Sequence, residues 1–326
     1  MKKNKLGRTN LEISEITLGG GWVGGLFIDA EYKVMENAIE LALDRGINWI
    51  DTAESYSEGV SEKNIGMLLD CLNPSEKIYV SSKARLDPQS SETFESQIDR
   101  KLDNSLKRLK LDQLNLYQLH NKITLEKGSE TLTEKEVLEA NGLAEIMLKL
   151  KEDQRVQNIG ITALGDTNSI KNVLETGYFD TAQVYYNLLN PSVEFEEADA
   201  WNDHDFSGLI SVCNKHKMGV LGIRVFAAGL LATDIRHGRE IPVTNVINID
   251  EEERRAHKLS ELVGENYGNR AQYALRYGLS SKNINSIVIG MATLEHLKNS
   301  IEAVEMGPLP ASLLKDISEL QKSNFL

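Results

Sequence analysis

A closed (β/α)8 barrel is the fold that this sequence predicts, and three observations carry that expectation. Eight short β-branched runs recur along the chain, and stretches with apolar residues at i, i+3 and i+4 lie between them. Strand followed by helix, repeated, implies parallel strands with right-handed crossovers, and eight such units suit a closed barrel better than an open doubly wound sheet. No linker rich in Pro, Gly or Ser divides the 326 residues, so one domain spanning 1–326 is expected.

The first strand is expected at 15–19 (Glu-Ile-Thr-Leu-Gly) and ends in a run of glycines. The second covers 47–51 (Ile-Asn-Trp-Ile-Asp) and the third 78–83 (Ile-Tyr-Val-Ser-Ser-Lys). The others fall at 114–119, 156–161, 180–185, 219–224 and 285–290. Helical periodicity marks Tyr32 to Arg45, Ser91 to Leu109, Glu136 to Lys151, Asp205 to His216 and Thr293 to Ala303. Asp29 is the expected N-cap of a helix from about Ala30. Connections 121–135 and 227–249 are longer than a plain barrel needs. Both follow strands, so they belong to the C-terminal face and are lid or binding-loop candidates. The run Glu251-Glu252-Glu253-Arg254-Arg255 reads as the solvated start of a helix, with acids at the positive end of its dipole.

Composition excludes several function classes. Lys plus Arg is 36 against 49 Asp plus Glu, giving a net charge of −13, and such a surface repels a phosphate backbone. Nucleic acid is not an expected partner. Cys71 and Cys213 form no Cys-x-x-Cys spacing, so neither a disulfide framework nor a thiolate zinc site is indicated and a reducing cytoplasm is expected. The basic start is not followed by the apolar run of a signal peptide, and no stretch nears the ~20 apolar residues of a membrane span.

Gly19, Gly21 and Gly24 satisfy G-x-G-x-x-G after a strand, with Asp51 closing the next one, as in a dinucleotide-binding fold. In that fold the third glycine lies inside the opening helix, whereas here Gly24-Gly25-Leu26-Phe27-Ile28 intervenes before the expected helix. With eight strands counted, the glycines read as a tight first-strand loop near a ligand.

Ionisable residues arrive at three consecutive strand ends. Asp51 ends the second strand, with Tyr56 on the loop after it, Lys83 ends the third and His120 the fourth. A lysine ammonium beside a phenol favours the phenolate, and a carboxylate behind the lysine keeps it charged and fixed. A phenol so tuned can donate a proton to a developing alkoxide or take one from an alcohol, while a neutral imidazole aims the same oxygen. Singly, each has an ordinary structural reading as surface charge, packing or helix cap. Together, in order and at strand ends, they read as catalytic.

With those residues in hand, the chain resembles an aldo-keto reductase. Asp51-Thr52-Ala53-Glu54-Ser55-Tyr56, with Glu62-Lys63-Asn64-Ile65-Gly66, resembles the family's second-strand signature. Val80-Ser81-Ser82-Lys83 resembles its lysine strand and Asp112 to His120 its histidine strand. The resemblance runs from Lys5-Leu6-Gly7-Arg8-Thr9 to the helix after Gly290. It implies an NAD(P)-dependent carbonyl reductase or alcohol dehydrogenase, with Tyr56 as proton donor, Lys83 and Asp51 tuning it, and His120 orienting substrate. The nicotinamide would lie across the barrel mouth with no Rossmann unit.

The resemblance also implies a cofactor-binding set, and this sequence departs from it in places. Thr162 supplies the hydroxyl toward the carboxamide, but Ala163 stands where many relatives have Asn, and Gln183 matches the other carboxamide partner. Ile223 occupies the usual place of an aromatic on the nicotinamide, with Arg224 beside it as an alternative stacking group. Arg224-Val225-Phe226-Ala227-Ala228-Gly229-Leu230 resembles the loop that crosses the pyrophosphate, and Ile289 to Leu297, with Gly290, Ala292, Thr293 and His296, the segment that binds the adenosine end. Thr293 also reads as the N-cap of the following helix, compatible with phosphate at that terminus. Ala292 stands where NADP-preferring relatives commonly carry Arg, Lys or Ser, so the cofactor is expected to be NAD(H) or NADP(H) with a lean to NAD(H).

The expected substrate is a small aldehyde, ketone, sugar or alcohol, with Trp22, Tyr56, Tyr186 and Trp201 as candidate pocket walls. A rival expectation is a cofactor-binding partner protein resembling potassium-channel β subunits, against which the intact four-residue set argues. Metal chemistry is disfavoured because His204, His216, His237, His257 and His296 all fall away from strand ends.

Overall fold

The computed structural model describes residues 1–74, 78–196, 204–235, 238 and 248–326. Its strands in chain order are β1 (Lys3–Lys5), β2 (Glu12–Ser14), β3 (Ile16–Gly19), β4 (Trp49–Asp51), β5 (Tyr79–Ala84), β6 (Leu116–Leu119), β7 (Lys122–Thr124), β8 (Thr131–Thr133), β9 (Ile159–Ala163), β10 (Thr181–Tyr185), β11 (Gly219–Ile223) and β12 (Ser286–Gly290). β3, β4, β5, β6, β9, β10, β11 and β12 close into one parallel barrel, and every one coincides with an expected strand. No doubly wound sheet exists for Gly19, Gly21 and Gly24 to serve. A Cβ on Gly24 would lie 2.5 Å from the Met291 backbone, so this glycine lets the loop after β3 press on the one after β12.

The helices are α1 (Leu26–Asp29), α2 (Tyr32–Asp44), α3 (Val60–Leu72), α4 (Phe94–Leu109), α5 (Glu134–Leu138), α6 (Leu143–Glu152), α7 (Thr167–Glu175), α8 (Leu209–Lys215), α9 (Ile249–Val263), α10 (Arg270–Leu279), α11 (Leu294–Met306) and α12 (Ala311–Lys322). Several differ from expectation. Asp29 is not an N-cap: it closes α1, and Glu31 precedes α2. The helix expected from Glu136 to Lys151 is two, because Asn141 takes a left-handed φ of 60° and Gly142 restarts the chain as α6. The connection 121–135 carries the small parallel pair β7–β8. Within 227–249 the described part holds a single turn at Ala227–Gly229, then Asn248 capping α9 through its side chain.

β1 and β2 form an antiparallel hairpin ahead of the barrel. Leu6, Leu11 and Ile13 from it join Trp49, Leu116 and Leu221, which β4, β6 and β11 contribute to one buried cluster. Asn48 ties to Glu12 and Ser14, Arg8 to Gly177 and Phe179, and Asn4 to Asn285, all at residues just before barrel strands. The hairpin therefore seals the N-terminal end. Because side chains alternate along a strand, the inward row above Trp49 and Leu116 continues to Asp51 and Gln118. Register places Lys83 beside Gln118 and Thr162 beside Gln183, so a polar layer sits directly over an apolar floor.

Candidate active site

The polar layer converges on Asp51. Its Oδ2 accepts from Lys83 Nζ at 2.6 Å, and its Oδ1 accepts from Ser81 Oγ at 2.7 Å, Gln183 Nε2 at 2.8 Å and Gln118 Nε2 at 3.3 Å. Four donors compensate a carboxylate shielded from water, which would otherwise be costly to bury. Lys83 Nζ also donates to the Thr52 carbonyl at 2.8 Å and lies 3.2 Å from Tyr56 Oη. Burial works against its charge, but Asp51 first and Tyr56 second outweigh burial and hold the ammonium above the ordinary lysine range.

Tyr56 owes its position to the loop between β4 and α3. Ser57, Glu58 and Gly59 follow it with φ of 48°, 53° and 86°, a run of left-handed backbone that turns the chain sharply into α3. The ring faces Gly21, where an added Cβ would touch it at 3.8 Å. Glu62, in the first turn of α3, is wholly buried and takes Arg108 at 2.6 Å and the Ser82 hydroxyl, which fixes that helix to α4 and β5. The His120 ring stands edge-on to Tyr56 with centroids 5.6 Å apart, and its Nδ1 hydrogen-bonds Ser55 Oγ at 3.2 Å. Burial, then the charges of Lys83, Arg85 and Arg224, push the His120 pKa well below its ordinary value, so the imidazole is neutral near pH 7. A phenol touching a buried ammonium, across from a neutral imidazole, can pass a proton to an oxygen held between them.

The barrel brings Asp51, Tyr56, Lys83 and His120 together as their strand-end positions suggest. Ser81 and Gln118 went unrecognised in the sequence; both are polar residues at inward positions two before Lys83 and His120, and that period-two spacing was the available signal.

A model of the Aldo/keto reductase family matches residues 15–322. The chain belongs to this family. Aldo-keto reductase YhdN of Bacillus subtilis is 28% identical over 199 residues, covering 60% of this chain and 56% of that protein. L-galactose dehydrogenase of Arabidopsis thaliana is 25% identical over 301 residues, 92% of this chain and 86% of that one. In structure, the holo form of an aldo-keto reductase from Bacillus halodurans superposes with a TM-score of 0.74 at 22% identity, over 98% of this chain and 96% of that chain, and supports the fold.

Members of the family are generally NAD(P)-dependent oxidoreductases. Around the barrel mouth the chain offers several features that fit such a group. Thr162 Oγ1 is buried with no hydrogen-bond partner among the described residues, an unused polar atom in the layer that holds Asp51. A Cβ at Gly229 or Gly290 would meet nothing within 4 Å, so the loops after β11 and β12 leave open space. Arg224, Ala227 and Ala228 take φ of 64°, 45° and 56°, strained values for residues with a Cβ, and Phe226 lies half-buried between them. Ile223 ends β11 and Arg224 follows it, both half-exposed. Thr293 caps α11 by accepting from the His296 amide at 3.3 Å, and His296 Nδ1 accepts from the exposed Ala292 amide at 3.2 Å. Gln183 spends one N–H of its Nε2 on Asp51, which leaves its second N–H and its oxygen for a carboxamide.

Of the expected pocket walls, Trp22 is exposed on the loop after β3. Tyr186, directly after β10, is buried and stacks on Tyr277 with centroids 5.3 Å apart. Trp201 lies outside the described residues. No helix among the described residues is long and apolar enough to cross a membrane.

Proposed function

We propose that the protein reduces a small aldehyde, ketone or sugar carbonyl, or oxidises the corresponding alcohol, using NAD(H) or NADP(H). The observation that carries this reading is the contact of Tyr56 Oη with Lys83 Nζ at 3.2 Å, the lysine itself held by Asp51 at 2.6 Å. When bound, a reduced nicotinamide supplies the hydride that adds to the carbonyl carbon. Tyr56 gives its proton to the carbonyl oxygen as the C–O double bond opens, and the adjacent ammonium stabilises the phenolate left behind. His120, neutral, holds the oxygen toward Tyr56. Thr162, Gln183, Ile223, Arg224, Phe226, Gly229, Gly290, Thr293 and His296 are the residues proposed to hold the cofactor.

The absence of a cation at Ala292 supports a lean to NAD(H). The intact proton-transfer set supports an enzyme over a protein that binds cofactor only to engage a partner. The deciding experiment follows nicotinamide absorbance through multiple turnovers with a panel of aldehydes, aldoses and alcohols and both cofactors. Turnover with at least one carbonyl is expected. Tight cofactor binding with no turnover across the panel would overturn the reading.

A further inference from the structure

Arg85 stands immediately above the proton-transfer set, and its backbone is fixed while its head group is not. The Ala84 carbonyl accepts from the His120 amide at 2.8 Å, and Leu86 is clamped to the Asn121 side chain by bonds of 2.7 and 2.8 Å. Arg85 is therefore held between the neighbours of His120. Register pairs Lys83 with Gln118, so the period-two alternation that turns those side chains inward sets Arg85 level with His120 on the same side. Its amide donates to Glu54 Oε1 at 3.2 Å, but that carboxylate is already paired with Lys101 at 2.6 Å.

The guanidinium of Arg85 is exposed and has no hydrogen-bond or ion-pair partner among the described residues. That is unusual in this chain, where acids outnumber bases by 49 to 36 and Arg100, Arg108, Arg254 and Arg270 each hold a carboxylate. A charge left unpaired in so acidic a molecule, at the rim of its reaction centre, is poised for an anion that arrives with the ligand. One guanidinium presents two parallel N–H donors, the geometry that a planar carboxylate accepts, and its single charge matches a single negative charge.

We propose that Arg85 is a specificity-determining residue that binds a carboxylate on the substrate, so that the preferred substrates are carbonyl compounds carrying an acid group. The proposal deepens the carbonyl-reductase reading and rests on it. With the carbonyl oxygen between Tyr56 and His120, the acid group extends out of the barrel toward Arg85, and the ion pair aligns the reacting carbon before proton transfer. Because the pair forms at an exposed rim, it weakens as salt is raised.

The test compares 4-carboxybenzaldehyde with 4-nitrobenzaldehyde, which has a planar neutral group of the same shape. The ratio of kcat/KM for the acid over the nitro compound should fall about tenfold or more in Arg85→Met, chiefly through KM, and recover in part in Arg85→Lys. A ratio unchanged in Arg85→Met overturns the proposal. So does glyceraldehyde 3-phosphate losing more than the carboxylate does, which would make the group recognised a phosphate. In parallel, 4-(hydroxymethyl)benzoate is titrated calorimetrically into parent and Arg85→Met, each saturated with oxidised cofactor. Binding that depends on Arg85 without turnover of either aldehyde supports the anion site while overturning the reductase reading. Turnover of both aldehydes with no dependence on Arg85 does the reverse.

Discussion

Lys83 and Asp51 meet at 2.6 Å with side chains exposed by only 1% and 4%, an ion pair almost wholly withdrawn from water. Such a pair is held by its hydrogen bonds as much as by its charge, and Thr52, Ser81, Gln118 and Gln183 supply them. Removing Lys83 leaves Asp51 with neutral donors only and no opposite charge. Lys83→Met should therefore abolish turnover and also destabilise the fold, by about 3–5 kcal/mol, the range for breaking a buried pair. Urea denaturation reads the second effect, and a midpoint equal to the parent's would show that Asp51 is compensated some other way.

Tyr56→Phe tests the proton donor alone. The ring still faces Gly21, so cofactor binding should stay near the parent value while kcat drops by several orders of magnitude. Turnover within about threefold of the parent would remove Tyr56 from the mechanism.

Acid should destabilise the protein through His120. Its folded-state pKa lies well below the ordinary value because of burial and three nearby cations, whereas the unfolded chain titrates near ~6.5. Between those two points the unfolded state binds more protons, so stability falls as pH drops through that window. His120→Asn should flatten this part of a plot of denaturation midpoint against pH. A slope that persists unchanged assigns the effect to other groups.

The proposed lean to NAD(H) can be tested at the exposed Ala292. Ala292→Arg should shift preference toward NADP(H) by ~1–3 kcal/mol, the range of a charge-assisted hydrogen bond. Fluorescence titration of both cofactors at low and moderate salt measures it. If the parent already binds NADP(H) more than about tenfold tighter, another residue holds the phosphate and the expected preference is wrong.

The two cysteines should separate cleanly. Burial pushes the Cys213 thiol up to about 12, while Cys71 is exposed at the end of α3. A thiolate-trapping reagent should label Cys71 in the native protein and Cys213 only in denaturant. Rapid native labelling of Cys213 would reveal opening around α8.

The barrel strands were legible because their β-branched runs are bounded by turns and helices, and a buried parallel strand needs little else. β1 and β2 were not, since Lys3-Asn4-Lys5 has no apolar run and owes its strand form to contacts at the barrel's end. The break at Asn141 and Gly142 was hidden because apolar residues keep helical spacing across it. Within the site, Asp51, Tyr56, Lys83 and His120 were readable as an ordered set, whereas Gln118 and Ser81 acquire meaning only once strand register assigns them to the inward row. Gln183 was readable in the sequence as a polar residue of the mouth, but its bond to the carboxylate across the barrel was not, because that contact depends on the closed sheet.

The hairpin packed under Trp49, Leu116 and Leu221 turns the barrel into a vessel with one opening. Passage through the barrel axis from that side is blocked by side chains, so the polar layer around Asp51 faces water only from the strand ends that carry Tyr56 and His120. The few residues that brace the far end thus fix which way the site looks without touching it.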